Sequence, residues 1–134
     1  LVSGLLLPAF GAALQQAGLG PALLNAALFY LFVAPAEEIL FRGLIQTRLN
    51  GAFGRPFRLF GTAFGWGLPL TAVLFGLWHI LLPGTGGWPQ ALWTACAGLL
   101  FGLARERSGG VFAPSLLHGI LNYSPLAFAA ALFG

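Results

Sequence analysis

The sequence predicts an all-α membrane protein, a bundle of about four to five transmembrane helices with a polar site in its core. Three observations carry that prediction. The 134 residues are 58% hydrophobic and only 7% charged, with a mean hydropathy of +0.88, whereas soluble domains carry roughly 25% charged residues. The apolar stretches are long and unbroken, which argues against the short alternating strands of a transmembrane barrel. No charge occurs from Leu1 to Ala36, and then Glu37 and Glu38 appear together inside an apolar run. A soluble chain this short must expose much of its surface, and this one has too little polar surface to do so.

All six basic residues are arginine, and aspartate and lysine are absent. With abundant Gly, Ala, Leu and Pro, this resembles a GC-rich coding bias and leads us to expect a bacterial inner-membrane protein. A net charge of +3 and a pI near 10 would point to nucleic acid in a soluble protein. In so oily a chain the arginines instead mark one membrane face, so lipid is an expected partner and nucleic acid is not. The single cysteine, Cys96, excludes an internal disulfide and a thiolate-rich metal site; in an apolar helix it is expected to be a small packing residue. The chain has no methionine and begins in mid-hydrophobic sequence. We therefore expect residues 1–134 to be one membrane-embedded unit cut from a longer protein, of unknown oligomeric state.

A span of about 20 apolar residues crosses a hydrocarbon core of about 30 Å. On that measure a partial segment covers Leu1 to Gly18, interrupted by Pro8. The second runs from Pro21 to Leu49, followed by a connection from Asn50 to Arg58. The third covers Leu59 to Leu82, with Pro69 marking a late start or a break. Pro83 to Gly87 is a turn signal. The fourth covers Trp88 to Ala104, with Arg105 to Gly110 as a loop, and the fifth fills the remainder, starting near Pro114 and kinked at Pro125.

The arginines agree with this order. Arg48 stands at the very end of the second segment with Arg55 and Arg58 after it, and Arg105 and Arg107 follow the fourth. Alternating crossings put both groups on one side, which the positive-inside rule makes cytoplasmic. Small residues at four-residue spacing, Gly61/Gly65 and Gly98/Gly102, would let helices approach closely, although such pairs also arise by chance in a glycine-rich chain.

Glu37, Glu38, Arg42, His79, His118 and Asn122 form the intramembrane polar inventory, spread over three segments. An ionised side chain in hydrocarbon costs several kcal/mol by rough estimate unless it is paired, so such a cluster points to function. Glu38 and Arg42 stand four apart and can pair on one helix face, as can His118 and Asn122. Glu37 points about 100° away from Glu38 and is left for another partner. Each group also has a structural reading: Glu38 with Arg42 as an ion pair, His79 as a core histidine beside Trp78, His118 with Asn122 as an interhelical bond. Their conjunction in three segments favours chemistry.

Glu37-Glu38-Ile39-Leu40-Phe41-Arg42 matches an EExxxR motif, Phe75 to His79 matches FxxxH, and His118 to Asn122 matches HxxxN. With these motifs in order across residues 21–122, the chain resembles the CAAX-protease and bacteriocin-processing (CPBP, or ABI) intramembrane endopeptidases, the group containing the Rce1-like prenyl-protein endopeptidases. The resemblance implies an endopeptidase acting on a membrane-associated protein or peptide, by CAAX-type or leader-like processing. It implies Glu37 as general base, His79 helping to hold the attacking water, and His118 and Asn122 stabilising the oxyanion. Glu38 and Arg42 would orient that face. No cofactor is favoured, but Glu37, His79 and His118 are also a possible three-ligand zinc set with an open position; the absence of HExxH weakens a zincin analogy.

Two rivals use the same residues. A proton-coupled transporter also carries intramembrane Glu, Arg and His, yet internal symmetry between halves is not seen here. A non-enzymatic relative, a scaffold or an immunity protein, would keep the fold without the chemistry. Helical rises counted from the expected segment ends place His79 and His118 at unequal depths, a gap that late starts at Pro69 and Pro114 narrow without closing.

Overall fold

The computed structural model describes residues 18–81 and 87–122. Four helices hold 82% of these residues: α1 (Leu19–Phe53), α2 (Gly67–Leu81), α3 (Trp88–Ser108) and α4 (Phe112–Asn122). A short antiparallel hairpin, β1 (Phe57–Leu59) and β2 (Thr62–Phe64), joins α1 to α2.

The protein is inside-out relative to a water-soluble domain. Leu23, Leu24, Leu31 and Phe32 on α1 and Leu92 and Leu100 on α3 all face outward. The largest fully buried side chains include Arg42, Gln46, Glu38 and Asn50 beside Phe75 and Phe101. Water rewards the opposite arrangement, whereas hydrocarbon drives polar groups inward to one another. Helix α1 is long and apolar enough to cross a membrane, and only 6% of its apolar window is buried, which is not the burial of a soluble core helix. Helix α2 is a shorter apolar helix.

Helix α1 is not uniformly α-helical. It widens into π-helix at Phe29–Val33 and again at Ile39–Gln46. Along a pure α-helix, residues four apart drift by about 40° per step. A π turn includes an extra residue and offsets that drift. Glu38, Arg42, Gln46 and Asn50 therefore remain in one inward row, all of them buried.

Helices α2 and α3 make the most extensive pair, and glycines set their separation. A Cβ on Gly76 would lie 2.5 Å from the Ala91 carbonyl oxygen, and one on Gly98 would lie 3.1 Å from Ala72 Cα. Gly98 and Gly102 thus do what their spacing predicts. Gly61 and Gly65 do not: Gly61 is in the hairpin turn and Gly65 follows β2. Phe75 of α2 and Ala97 and Phe101 of α3 form one buried apolar cluster with Phe41 of α1.

Several expected boundaries move. Helix α1 runs on to Phe53, past Leu49. The expected third segment begins late, at Gly67 rather than Leu59, because Phe57 to Phe64 pairs as a hairpin. Its turn residues Phe60 and Gly61 both have positive φ, 49° and 79°, a conformation matched to strand twist in two-residue hairpins. Phe57 packs against Phe64 with the rings tilted by 37° and meets Trp66 edge-on. Arg105 to Ser108 belong to α3, not to a loop; Gly109 at φ 73° ends that helix. Cys96 is exposed on α3 rather than packed. The expected first segment, Pro83 of the predicted turn and the Pro125 kink lie outside the described residues.

Candidate active site

The inward row of α1 supplies the first half of the site. Arg42 Nη1 donates to Glu38 Oε1 at 3.0 Å, and both side chains are 0% exposed. Arg42 Nη2 reaches the Gly98 carbonyl at 3.3 Å, and the guanidinium lies 4.3 Å from the Phe75 ring centroid and 5.2 Å from that of Phe101. A buried charge needs this enclosure by carboxylate, carbonyl and ring faces. Gly98 makes the carbonyl accessible, since a Cβ there would sit 3.0 Å from Arg42 Nη2.

Helix α4 brings His118 against the row. Its Nδ1 lies 3.0 Å from Glu38 Oε1, and its Nε2 lies 3.7 Å from Glu37 Oε2. A carboxylate held by Arg42 only accepts, so Nδ1 carries the hydrogen and donates it. At 3.7 Å the second contact is an ion-pair distance, too long for a direct hydrogen bond. The imidazole stacks on Phe101 at 4.9 Å and meets Phe75 edge-on at 5.6 Å. Gly119 lets α4 come this close, because a Cβ there would run into the Tyr30 ring.

His79 comes from the last turns of α2. Its Nδ1 is 2.8 Å from the Phe75 carbonyl oxygen. A carbonyl only accepts, so Nδ1 donates and Nε2 is left as the acceptor nitrogen. The ring lies 4.6 Å from the Phe75 ring. Both histidines therefore flank one phenylalanine, and Glu37 is within electrostatic range of His79, His118, Glu38 and Arg42. His79 lies twelve residues past the start of α2 and His118 six past the start of α4, so the late starts alone do not close the expected gap in depth, yet both rings meet the Phe75 side chain.

Glu37 differs from its neighbour in access. Its side chain is 22% exposed while that of Glu38 is fully buried. The residue four on from His118, Asn122, is half-buried in the last described turn of α4. Among the described residues it makes no hydrogen bond to the other five. Glu37, His79 and His118 do not form a ligand set either: no three His, Cys, Asp or Glu side chains among the described residues converge as a metal site requires.

The chain matches the family model of the type II CAAX prenyl endopeptidases, Rce1-like, over residues 19–124. The chain belongs to this family. No curated protein and no solved structure matches it. The Rce1-like family is one of integral-membrane peptide hydrolases, which agrees with the buried polar row and the outward apolar surface.

This Rce1-like chain has a second polar cluster that sequence reading missed. Glu106 on α3 accepts from Gln46 Nε2 at 2.7 Å, Asn50 Nδ2 at 2.6 Å and Arg55 Nε at 2.9 Å. Gln46 Nε2 also reaches the Gly102 carbonyl, and Asn50 Oδ1 accepts from the Gly67 amide that starts α2. One carboxylate thereby ties the end of α1 to α3, and Asn50 ties it to α2. The available signal was the four-residue repeat Glu38, Arg42, Gln46, Asn50, which continues the row beyond the motif.

Proposed function

We propose that this chain is an intramembrane endopeptidase that hydrolyses a peptide bond in a membrane-associated protein or peptide, a CAAX-type or a leader-like substrate. The observation that carries the reading is the division between adjacent glutamates. Glu38 is sealed and committed to Arg42 and His118, while Glu37 touches the same histidine and keeps an open face.

In the proposed reaction Glu37 takes a proton from water as the oxygen attacks the scissile carbonyl carbon. His79 Nε2 accepts the other water hydrogen and orients the nucleophile. The carbonyl oxygen gains the negative charge, which Asn122 Nδ2 and the Nε2–H of His118, carrying both ring hydrogens in this reading, meet with donated hydrogen bonds while His118 Nδ1–H stays on Glu38. Glu37 then returns its proton to the leaving nitrogen as the C–N bond breaks. General acid–base catalysis of this type contributes about 10²–10⁴-fold. Glu38 and Arg42 position the imidazole of His118 and do not touch substrate. No metal takes part in these steps. The arginine-bearing ends of α1 and α3 face the cytoplasm of a bacterial inner membrane in this reading.

The test is cleavage of a membrane-anchored peptide by the full chain in liposomes, with products identified by mass spectrometry. Wild type is expected to yield two fragments, and Glu37→Ala and His118→Ala none. Equal cleavage by wild type and Glu37→Ala rejects the assignment, and a non-enzymatic relative would release no fragment in any form.

A further inference from the structure

At the arginine end of the bundle, between the hairpin tip and the last turn of α3, lies an open cavity of about 600 Å³. Arg55, Arg105, Arg107 and Glu106 line it, together with Phe60 and the backbone of Gly61 to Ala63. It is separate from the Glu37 site: along α1, Asn50 stands about 20 Å from Glu37 by helical rise.

The charges around this cavity do not balance. Three arginines face one carboxylate, and that carboxylate already receives Gln46, Asn50 and Arg55. The C-terminal end of α3 adds about half a negative elementary charge, which leaves more than one positive charge uncompensated. Arg105 is poorly satisfied as well. Its Nη2 reaches Thr47 Oγ1 only at 3.4 Å, and its buried Nε has no acceptor among the described residues. A cationic cavity with surplus positive charge and a poorly satisfied guanidinium takes an oxyanion, and a phosphate group matches arginine's forked donors.

Phe60 identifies the source of that phosphate. It sits at the hairpin tip, 82% exposed, on a cavity that also carries guanidinium groups. Exposed aromatic and arginine side chains together belong at the boundary of headgroups and acyl chains. We infer that the cavity lined by Arg55, Arg105, Arg107 and Phe60 binds the phosphate headgroup of an anionic phospholipid. The lipid seats the hairpin and the end of α3 on the membrane surface, independently of the hydrolytic reading.

The test uses the full chain in detergent micelles, with retained lipid counted by native mass spectrometry. Phosphatidylglycerol, phosphatidylcholine and inorganic phosphate are the probes. Wild type is expected to retain phosphatidylglycerol in preference to phosphatidylcholine, and inorganic phosphate at the same concentration not to displace it. Arg105→Gln/Arg107→Gln is expected to lose at least about tenfold in retention, given what each arginine contributes near an anionic surface. Arg48→Gln, exposed on α1 and outside the cavity, is expected to behave as wild type. Should the double variant unfold, Arg107→Glu alone, at an exposed position, carries the same expectation. Equal retention of the two lipids, an equal loss in Arg48→Gln, or displacement by inorganic phosphate overturns the inference.

Discussion

The Nδ1 of His118 lies 3.0 Å from Glu38 Oε1 across 80 residues of sequence. Glu38 holds Arg42 with the same oxygen, so one carboxylate orients both a cation on its own helix and an imidazole on another. Breaking such a buried group by removing one partner leaves an uncompensated charge. Glu38→Ala is expected to destabilise the protein by about 3–5 kcal/mol, measured by unfolding in detergent. A loss below about 1 kcal/mol, the scale of an exposed pair, would contradict the enclosure described for Arg42.

Glu106 is expected to matter for stability and not for chemistry. Glu106→Ala removes the acceptor of three side-chain donors, and leaving buried donors unsatisfied costs about 1–3 kcal/mol each. Unfolding should shift accordingly, while cleavage per folded molecule stays at the wild-type level. A specific loss of rate in folded protein would instead place Glu106 in the reaction.

Gly119 tests how closely α4 must approach. Gly119→Ala drives a methyl group into the Tyr30 ring, and overpacking of this kind costs about 1–3 kcal/mol. Because His118 is the adjacent residue, peptide cleavage should fall in the protein that remains folded. Unchanged stability and rate together would show that the contact relaxes freely.

A reaction run by Glu37 and His79 on water needs no metal. Strong chelation followed by elemental analysis should leave the cleavage rate unchanged and find no stoichiometric metal. Loss of activity restored by zinc would return Glu37, His79 and His118 to the role of ligands.

How much of this was legible in the sequence depended on charge. Glu37, Glu38 and Arg42 stand out because ionised groups are rare in an apolar run, and the two histidines stand out for the same reason. Gln46 and Asn50 carry no charge and sit where the span was expected to end, so nothing local marked them as buried. Glu106 lies between two arginines and just before Ser108-Gly109-Gly110, which reads as a solvated loop. Its partners are 51 to 60 residues away, a tertiary fact that no window reports. The hairpin escaped for a different reason: its strands are three residues long and lie within an apolar stretch, where pairing and helical continuation look alike. The π turns of α1 are equally invisible locally, yet they keep Glu38, Arg42, Gln46 and Asn50 in line.

The most direct measurement is the single-turnover cleavage rate of Glu37→Gln beside its unfolding transition, a substitution that keeps the side-chain shape and removes the base. The rate is expected to fall by about 100-fold or more while the unfolding transition stays at the wild-type position, since Glu37 is the partly open member of the pair. A folded Glu37→Gln protein that cleaves at the wild-type rate would contradict the proposed mechanism.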